Sequence, residues 1–214
     1  MSRNRALALP PSSPDLVALL EEVRQDPKIG RELVHTAYLP PCIEEHGELD
    51  PPLPEPIARA LGRGGVSRLW THQTEGIAAV RRGENVLVTT PTASGKSLVF
   101  QIPALEEALS GGSGRALFLF PLKALGQDQR GKLARLAEEA GITLEEGLCE
   151  IYDGDTPVAK RAAIRKNFPR VVISNPDMLH MGILSNWTTW GPFLADLKWI
   201  VLDELHTYRG IFGS

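Results

Sequence analysis

The chain has 214 residues, 43% hydrophobic and 23% charged, with 23 Lys and Arg against 26 Asp and Glu for a net charge of −3. That length supports one or two domains with a substantial core, and the composition excludes a disordered tail, a collagen-like fibre and a coiled-coil rod. No global positive field advertises nucleic acid, so any such binding must be local.

Ten of the seventeen prolines fall within residues 10–56. Ser13 and Pro14 read as an N-cap and first-turn pair for the amphipathic helix LVALLEEV, which ends near Pro27. LVHTAYLPP and DPPLPEP read as extended connections, and Pro56 opens a short helix stopped by Gly62, Gly64 and Gly65. Residues 1–65 are therefore expected to be an accessory extension. From residue 66 the pattern becomes regular. HQTEGIAAVRRG is a helix closed by Gly83, ENVLVTTP a short apolar strand, and GKSLVFQIPALEEALS a helix bent at Pro103. RALFLFP is a buried-type strand and KALGQDQRGKLARLAEEAG a helix with Gly141 past its end. CEIYDG, RVVISNP and KWIVLDE are three further strands. Strands alternating with helices predict an α/β fold with a parallel sheet covered on both faces. No apolar run reaches the ~18 residues of a membrane-spanning helix, and the opening segment is no secretory signal. Cys42 and Cys149 form neither a metal pattern nor a disulfide framework, so a reducing, cytoplasmic setting is expected.

TPTASGKS, residues 90–97, follows a strand and opens a helix. It matches the phosphate-loop pattern GxxxxGK[ST] except that Thr90 replaces the first glycine. Gly95 allows close backbone approach, and the N–H groups along Thr92, Ala93, Ser94 and Gly95 are suited to phosphate oxygens. Lys96 is expected to reach the β/γ-phosphates, and Ser97 to offer its hydroxyl to Mg²⁺. WIVLDELH ends a hydrophobic strand in adjacent carboxylates. Asp203 is expected to hold Mg²⁺ and Glu204 to polarise the attacking water. Together these segments specify nucleoside triphosphate hydrolysis with Mg²⁺.

TPTASGKS and DELH resemble motifs I and II of superfamily 2 DExH helicases, over about residues 66–214. The tail HTYRGIFGS and the proline-rich lead resemble the MrfA-type DNA-repair helicases of that superfamily. The resemblance implies a RecA-like ATPase lobe. LWTHQ resembles the Q motif and gives Gln73 the adenine edge, with Trp70 or Arg68 against the base. PLKALGQDQ resembles motif Ia, which assigns Pro121, Lys123, Ala124 and Gln127 to the nucleic-acid backbone. DGDTP and SNPDMLH resemble the motif Ib region and add Gly154, Asp155, Thr156, Asn175 and Pro176. His206 closes the DExH box, where it couples the nucleotide site to motif III. The family also places its motif III strand between the motif I and motif II strands, and a second lobe supplies motifs IV to VI. This chain is therefore expected to carry an incomplete lobe, cut after the motif II strand, that is inactive alone.

The residues themselves agree. Each loop follows a strand, so all cluster at one sheet edge. Thr156 with Pro157, and Asn175 with Pro176, read as helix starts whose N–H groups offer phosphate contacts without excess lysine. Lys160, Arg161, Arg165 and Lys166 read as a solvated helix face. Five glutamates and no base in residues 138–150 argue against nucleic acid on that side. His35, His46, His72 and His180 show no metal spacing, and Trp187, Trp190 and Trp199 read as core anchors. DNA is the expected partner. An RNA helicase, a translocase that does not separate strands, and a non-enzymatic nucleotide- or nucleic-acid-binding fragment remain open.

Overall fold

The computed structural model describes residues 14–35, 45–91, 94–143 and 147–208. The chain divides into two compact units, residues 1–44 and 45–214. The first holds α1 (Pro14–Gln25). Asp26 then closes a turn by accepting the N–H groups of Lys28 and Ile29 at 2.7 and 3.0 Å. The expected cap, Ser13, lies outside the described residues.

The second unit is a parallel sheet covered by helices on both faces. In chain order it contains α2 (Glu55–Arg63), α3 (Thr71–Arg81), α4 (Leu98–Leu109), β1 (Arg115–Leu119), α5 (Lys123–Glu139), β2 (Cys149–Ile151) and α6 (Val158–Lys166). There follow β3 (Val171–Ser174), the short α7 (Pro176–Met178) with irregular turns to Asn186, α8 (Trp187–Ala195) and β4 (Leu197–Leu202). The strands lie in the order β2-β3-β1-β4. β1 pairs with β3 and β4, and β2 with β3, all in parallel. The continuous apolar runs RALFL and VVIS take the two positions with neighbours on both sides, where both faces need cover. On one face Ala116, Phe118, Val171 and Ile173 meet Ile57, Ile77, Ile102, Leu105 and Leu133 from the helices. On the other, Leu117, Leu119 and Val172 meet Ile164, Phe168, Trp190 and Phe193. Parallel strands send every loop that follows a strand to one edge of the sheet.

Four expectations are corrected. The compact unit starts at Glu45 rather than residue 66, because α2 inserts Ile57 and Ala60, both fully buried, into the main core. α2 also continues through Gly62 to Arg63 and stops at Gly64. The segment ENVLVTTP forms no strand, and Leu87 there is 72% exposed. A strand needs a neighbour for its backbone groups, and β4, the acidic-ended strand, pairs on one side only. Among the described residues neither segment has a strand on that side. Finally, Trp187, expected as a core anchor, is 68% exposed, whereas Trp190 is fully buried and Trp199 packs against the main core.

Residue Ile57, fully buried in the main core, gives a direct test of the earlier boundary. Ile57→Ala is expected to cost about 2–5 kcal/mol by chemical denaturation, the usual range for a truncated core aliphatic. A residue in an accessory tail would lose almost nothing. On the open edge Ile200 is 60% exposed. Ile200→Lys is expected to reduce self-association in light scattering with little change in melting temperature, since a charge on a bare edge blocks strand-to-strand pairing.

Candidate active site

The phosphate loop is tied to its surroundings through its carbonyl groups. Lys96 donates its ammonium to the carbonyls of Thr90 and Pro91, each at 2.8 Å. Gln73 Nε2 donates to the Gly95 carbonyl at 2.9 Å, and His72 Nε2 lies 3.0 Å from the Ser94 carbonyl. Thr90, which stands where the pattern has glycine, ties its hydroxyl to that of Ser94 at 2.6 Å and so closes the loop from the side. Gly95 has φ +74°, and a Cβ there would meet the Gln73 amide nitrogen at 2.5 Å. Glycine is required at this position on both counts. Thr92 and Ala93 lie outside the described residues.

Among the described residues the N–H groups of Gly95, Lys96 and Ser97 meet no acceptor. These are free donors at the entrance to α4, with a cationic side chain beside them, and this donor set fits a polyphosphate. Gln73 is 2% exposed, and its Oε1 accepts the Trp70 N–H at 2.9 Å. Both halves of its amide are therefore engaged within the protein. Trp70 stacks on His46 with ring centroids 4.9 Å apart.

α3 and α4 hold these parts in register. Arg81 of α3 makes a two-pronged ion pair with Glu106 of α4, at 2.5 and 3.1 Å, with both side chains largely buried. A Cβ on Gly76 of α3 would meet Val99 Cγ1 of α4 at 2.7 Å, so the helices approach closely.

The acidic strand end lies opposite. The N–H of Asp203 donates to the Leu119 carbonyl at 3.0 Å, extending the β1–β4 ladder by one residue. Glu204 has φ +51°, a left-handed conformation that a non-glycine residue adopts only under constraint. It caps the turn Leu205–Thr207. His206 Nδ1 sits 3.3 Å from a Glu204 carboxylate oxygen, and its side chain is 70% exposed. Burial raises the Asp203 carboxyl above its ordinary value, the Glu204 charge adds to the rise, and a Glu204 backbone hydrogen bond and the Lys96 charge oppose it. Lys96 and Asp203 are therefore electrostatic neighbours. Burial beside Asp203 also pushes the Tyr208 phenol up to about 12.

Of the nucleic-acid candidates, Lys123, Ala124, Gln127, Asp155 and Thr156 line a cavity of about 350 Å³ together with Asp153, whereas Pro121, Gly154, Asn175 and Pro176 do not line it. Lys123, the first residue of α5, pairs with Asp155 at 2.5 Å, so the two loops touch. Thr156 does not cap α6, where Pro157 takes that position. Its hydroxyl instead bonds Asp153 Oδ1 at 2.9 Å and the Ile151 carbonyl at 3.1 Å. Asp153, 6% exposed, also accepts the N–H groups of Asp155 and Thr156 at 3.0 and 2.9 Å. Arg161 is not a solvated side chain: it donates to the carbonyls of Thr156 and Gly154 at 2.8 and 2.6 Å. Arg165 donates to Tyr152 Oη at 3.0 Å, and Lys160 pairs with Glu150 at 2.7 Å. Asn175 caps α7 through the Met178 N–H at 2.9 Å, so one of the donors expected for phosphate is already used. Pro176 opens that helix and Pro121 precedes α5. Sequence reading missed His72, Asp153 and Arg161. The D-x-x-T spacing of a side-chain-closed turn could have revealed Asp153, whereas the roles of the other two depend on tertiary placement.

Asp203 supplies a pH test. Its folded carboxyl holds a proton more tightly than an unfolded one does. Its ionised form is thus a cost to folding that is present above the folded value and relieved as pH falls toward the ordinary carboxylate value of about 3.9. Asp203→Asn is expected to raise the melting temperature at pH 7–8, with the gain shrinking toward pH 4. A loss of stability at neutral pH would contradict that sign.

Residues 70–214 match the family model described as DEAD/DEAH box helicase. Among curated proteins, the ATP-dependent helicase YprA of Bacillus subtilis is 41% identical over 91% of this chain and 26% of its own length. The ATP-dependent helicase HRQ1 of Saccharomyces cerevisiae is 44% identical over 68% of this chain and 13% of its own. Among solved structures, the DUF1998 helicase MrfA bound to DNA superposes with TM-score 0.80 at 37% identity, covering 94% of this chain and 28% of that one. The chain thus spans about a quarter or less of the length of these relatives. With a family match running from the Q-motif tryptophan to the last residue, over a RecA-like sheet, the chain belongs to the DEAD/DEAH box helicase family.

Proposed function

We propose that this chain is the first ATP-binding lobe of a helicase or translocase that works on DNA, with residues 1–44 as an accessory extension. One juxtaposition carries the reading. A phosphate loop with free N–H groups sits within electrostatic reach of the acidic end of β4, on a sheet whose strand-following loops share one edge. The N–H groups of Gly95, Lys96 and Ser97 bind the β- and γ-phosphates, and Lys96 leaves the loop carbonyls to join them. Ser97 Oγ and Asp203 hold Mg²⁺, which when bound neutralises charge on the phosphates. Glu204 orients the attacking water and accepts its proton. Positioning and charge stabilisation supply the catalysis, with no covalent step on the protein.

Motifs Ia and Ib hold the nucleic-acid backbone through Lys123, Gln127 and the loop over Gly154, Asp155 and Thr156, with Asn175 and Pro176 beside them. Support for DNA comes from MrfA, solved bound to DNA and, at 42% identity, bound to DNA and AMPPNP. The RNA-bound Mss116 structure, at 21% identity, speaks only for the fold. A role in DNA repair follows from the same resemblance and is tested by the sensitivity of a deletion strain to DNA damage.

ATP turnover by the complete gene product tests the reading. Single-stranded DNA is expected to stimulate hydrolysis more than RNA, and Lys96→Ala to abolish it. Glu204→Gln is expected to retain nucleotide binding while slowing hydrolysis by about 100-fold or more, in line with loss of a general base. Stronger stimulation by RNA would make it an RNA enzyme. Residues 1–214 alone are expected to turn over well below ~1 s⁻¹, the low end for ordinary enzymes; DNA-stimulated turnover at that rate would show the lobe to be self-sufficient.

A further inference from the structure

Two adjacent side chains on the first turn of α3 reach two successive carbonyls of the phosphate loop. Gln73 takes the Gly95 carbonyl and His72 the Ser94 carbonyl, at 2.9 and 3.0 Å. A trans peptide points its C=O and its N–H in opposite directions. The Ser94 carbonyl shares a peptide plane with the Gly95 N–H, and the Gly95 carbonyl shares one with the Lys96 N–H. Holding both carbonyls toward α3 therefore turns both N–H groups away from it, and these are the donors left without an acceptor among the described residues. We infer that His72 is a positioning residue for polyphosphate binding: through Nε2–H it fixes the Ser94 peptide so that the Gly95 N–H stays aimed at a phosphate oxygen. This rests on the nucleotide-binding reading above.

The chemistry limits how His72 can act. A carbonyl only accepts, so the ring must carry its proton on Nε2. The bond survives whether the ring is neutral in that tautomer or cationic. Its role is thus to orient a peptide and not to move a proton. Gln73 cannot replace it, since its amide nitrogen is already on the neighbouring carbonyl and its oxygen on the Trp70 N–H. A clamp on the phosphate loop acts on the phosphates and leaves the base and sugar untouched, and this separates it from a general contribution to stability.

The test uses the complete gene product and a fluorescent ATP analogue, with inorganic tripolyphosphate and adenosine as competitors and melting curves taken without nucleotide. His72→Phe keeps a ring and removes the donor. It is expected to weaken the ATP analogue and tripolyphosphate alike by about tenfold, the effect of one positioned hydrogen bond, and to leave adenosine competition unchanged. His72→Gln restores an N–H donor and is expected to bind within about threefold of the parent. If the phenylalanine variant fails to fold, His72→Met supplies the donor-free comparison. Tripolyphosphate binding at the parent level in the donor-free variant overturns the inference. So does a glutamine variant as weak as the donor-free one. A parent that binds neither nucleotide nor tripolyphosphate overturns the nucleotide reading itself.

Discussion

A loop that binds phosphate through its backbone must keep its N–H groups free, and it can do so only if its carbonyls are held from behind. Free donors and free acceptors together would let the loop collapse onto itself. In this chain the carbonyls of Thr90, Pro91, Ser94 and Gly95 all have side-chain partners: Lys96 for the first two, His72 and Gln73 for the others. The partners come from two directions. Lys96 belongs to the loop, and its ammonium is free to move to an incoming anion, whereas His72 and Gln73 are anchored on α3. Much of the fold around the loop serves that second anchor. The Arg81–Glu106 pair and the Gly76–Val99 contact fix α3 against α4, and Arg81 also donates to the Pro51 carbonyl in the segment before α2.

The acidic side of the site is held at a cost to folding. Glu204 sits in the left-handed region without being glycine, and Asp203 resists ionisation because it is partly desolvated beside another carboxylate. Both are unfavourable in the free protein, and a cation held at Asp203 would ease the second by stabilising the ionised carboxylate. Concentrated negative charge and a strained backbone at the end of β4 are the features on which the proposed metal-assisted reading rests. The Asp203 N–H bond to the Leu119 carbonyl keeps this turn in place against β1, an interior strand.

Much of the fold was legible from periodicity. RALFLF and RVVISN are apolar without alternation, which is the mark of a strand covered on both faces, and β1 and β3 occupy those positions. KALGQDQRGKLARLAEEAG showed where its helix stops, and α5 ends at Glu139 with Gly141 at φ +70°. ENVLVTTP reads equally well as a strand, but strand propensity forms no sheet without a neighbour, and no local pattern reveals whether that neighbour is present. The prolines before residue 65 read as an accessory extension wrapped on a larger body, and three apolar residues of α2, Ile57, Ala60 and Leu61, pack into the core. In the candidate site, Gly95, Lys96, Ser97, Asp203 and Glu204 come from motif spacing. His72 and Arg161 were passed over because their partners are backbone carbonyls, and a backbone acceptor leaves no trace in the sequence.

Net charge does not give the number of free cations around the loop over residues 153–157. Asp153, Thr156 and Arg161 fix that loop through bonds to its own backbone, so the arginine is spent on shape and does not contribute a free charge to the surface. Lys123 is paired with Asp155, which holds its ammonium firmly protonated. A phosphate arriving in this groove exchanges with a carboxylate and does not meet an open cation. The exchange trades one anion for another across the same Lys123, which limits the net gain for any single phosphate. Under the proposed nucleic-acid reading, affinity would come from several such contacts together with backbone donors.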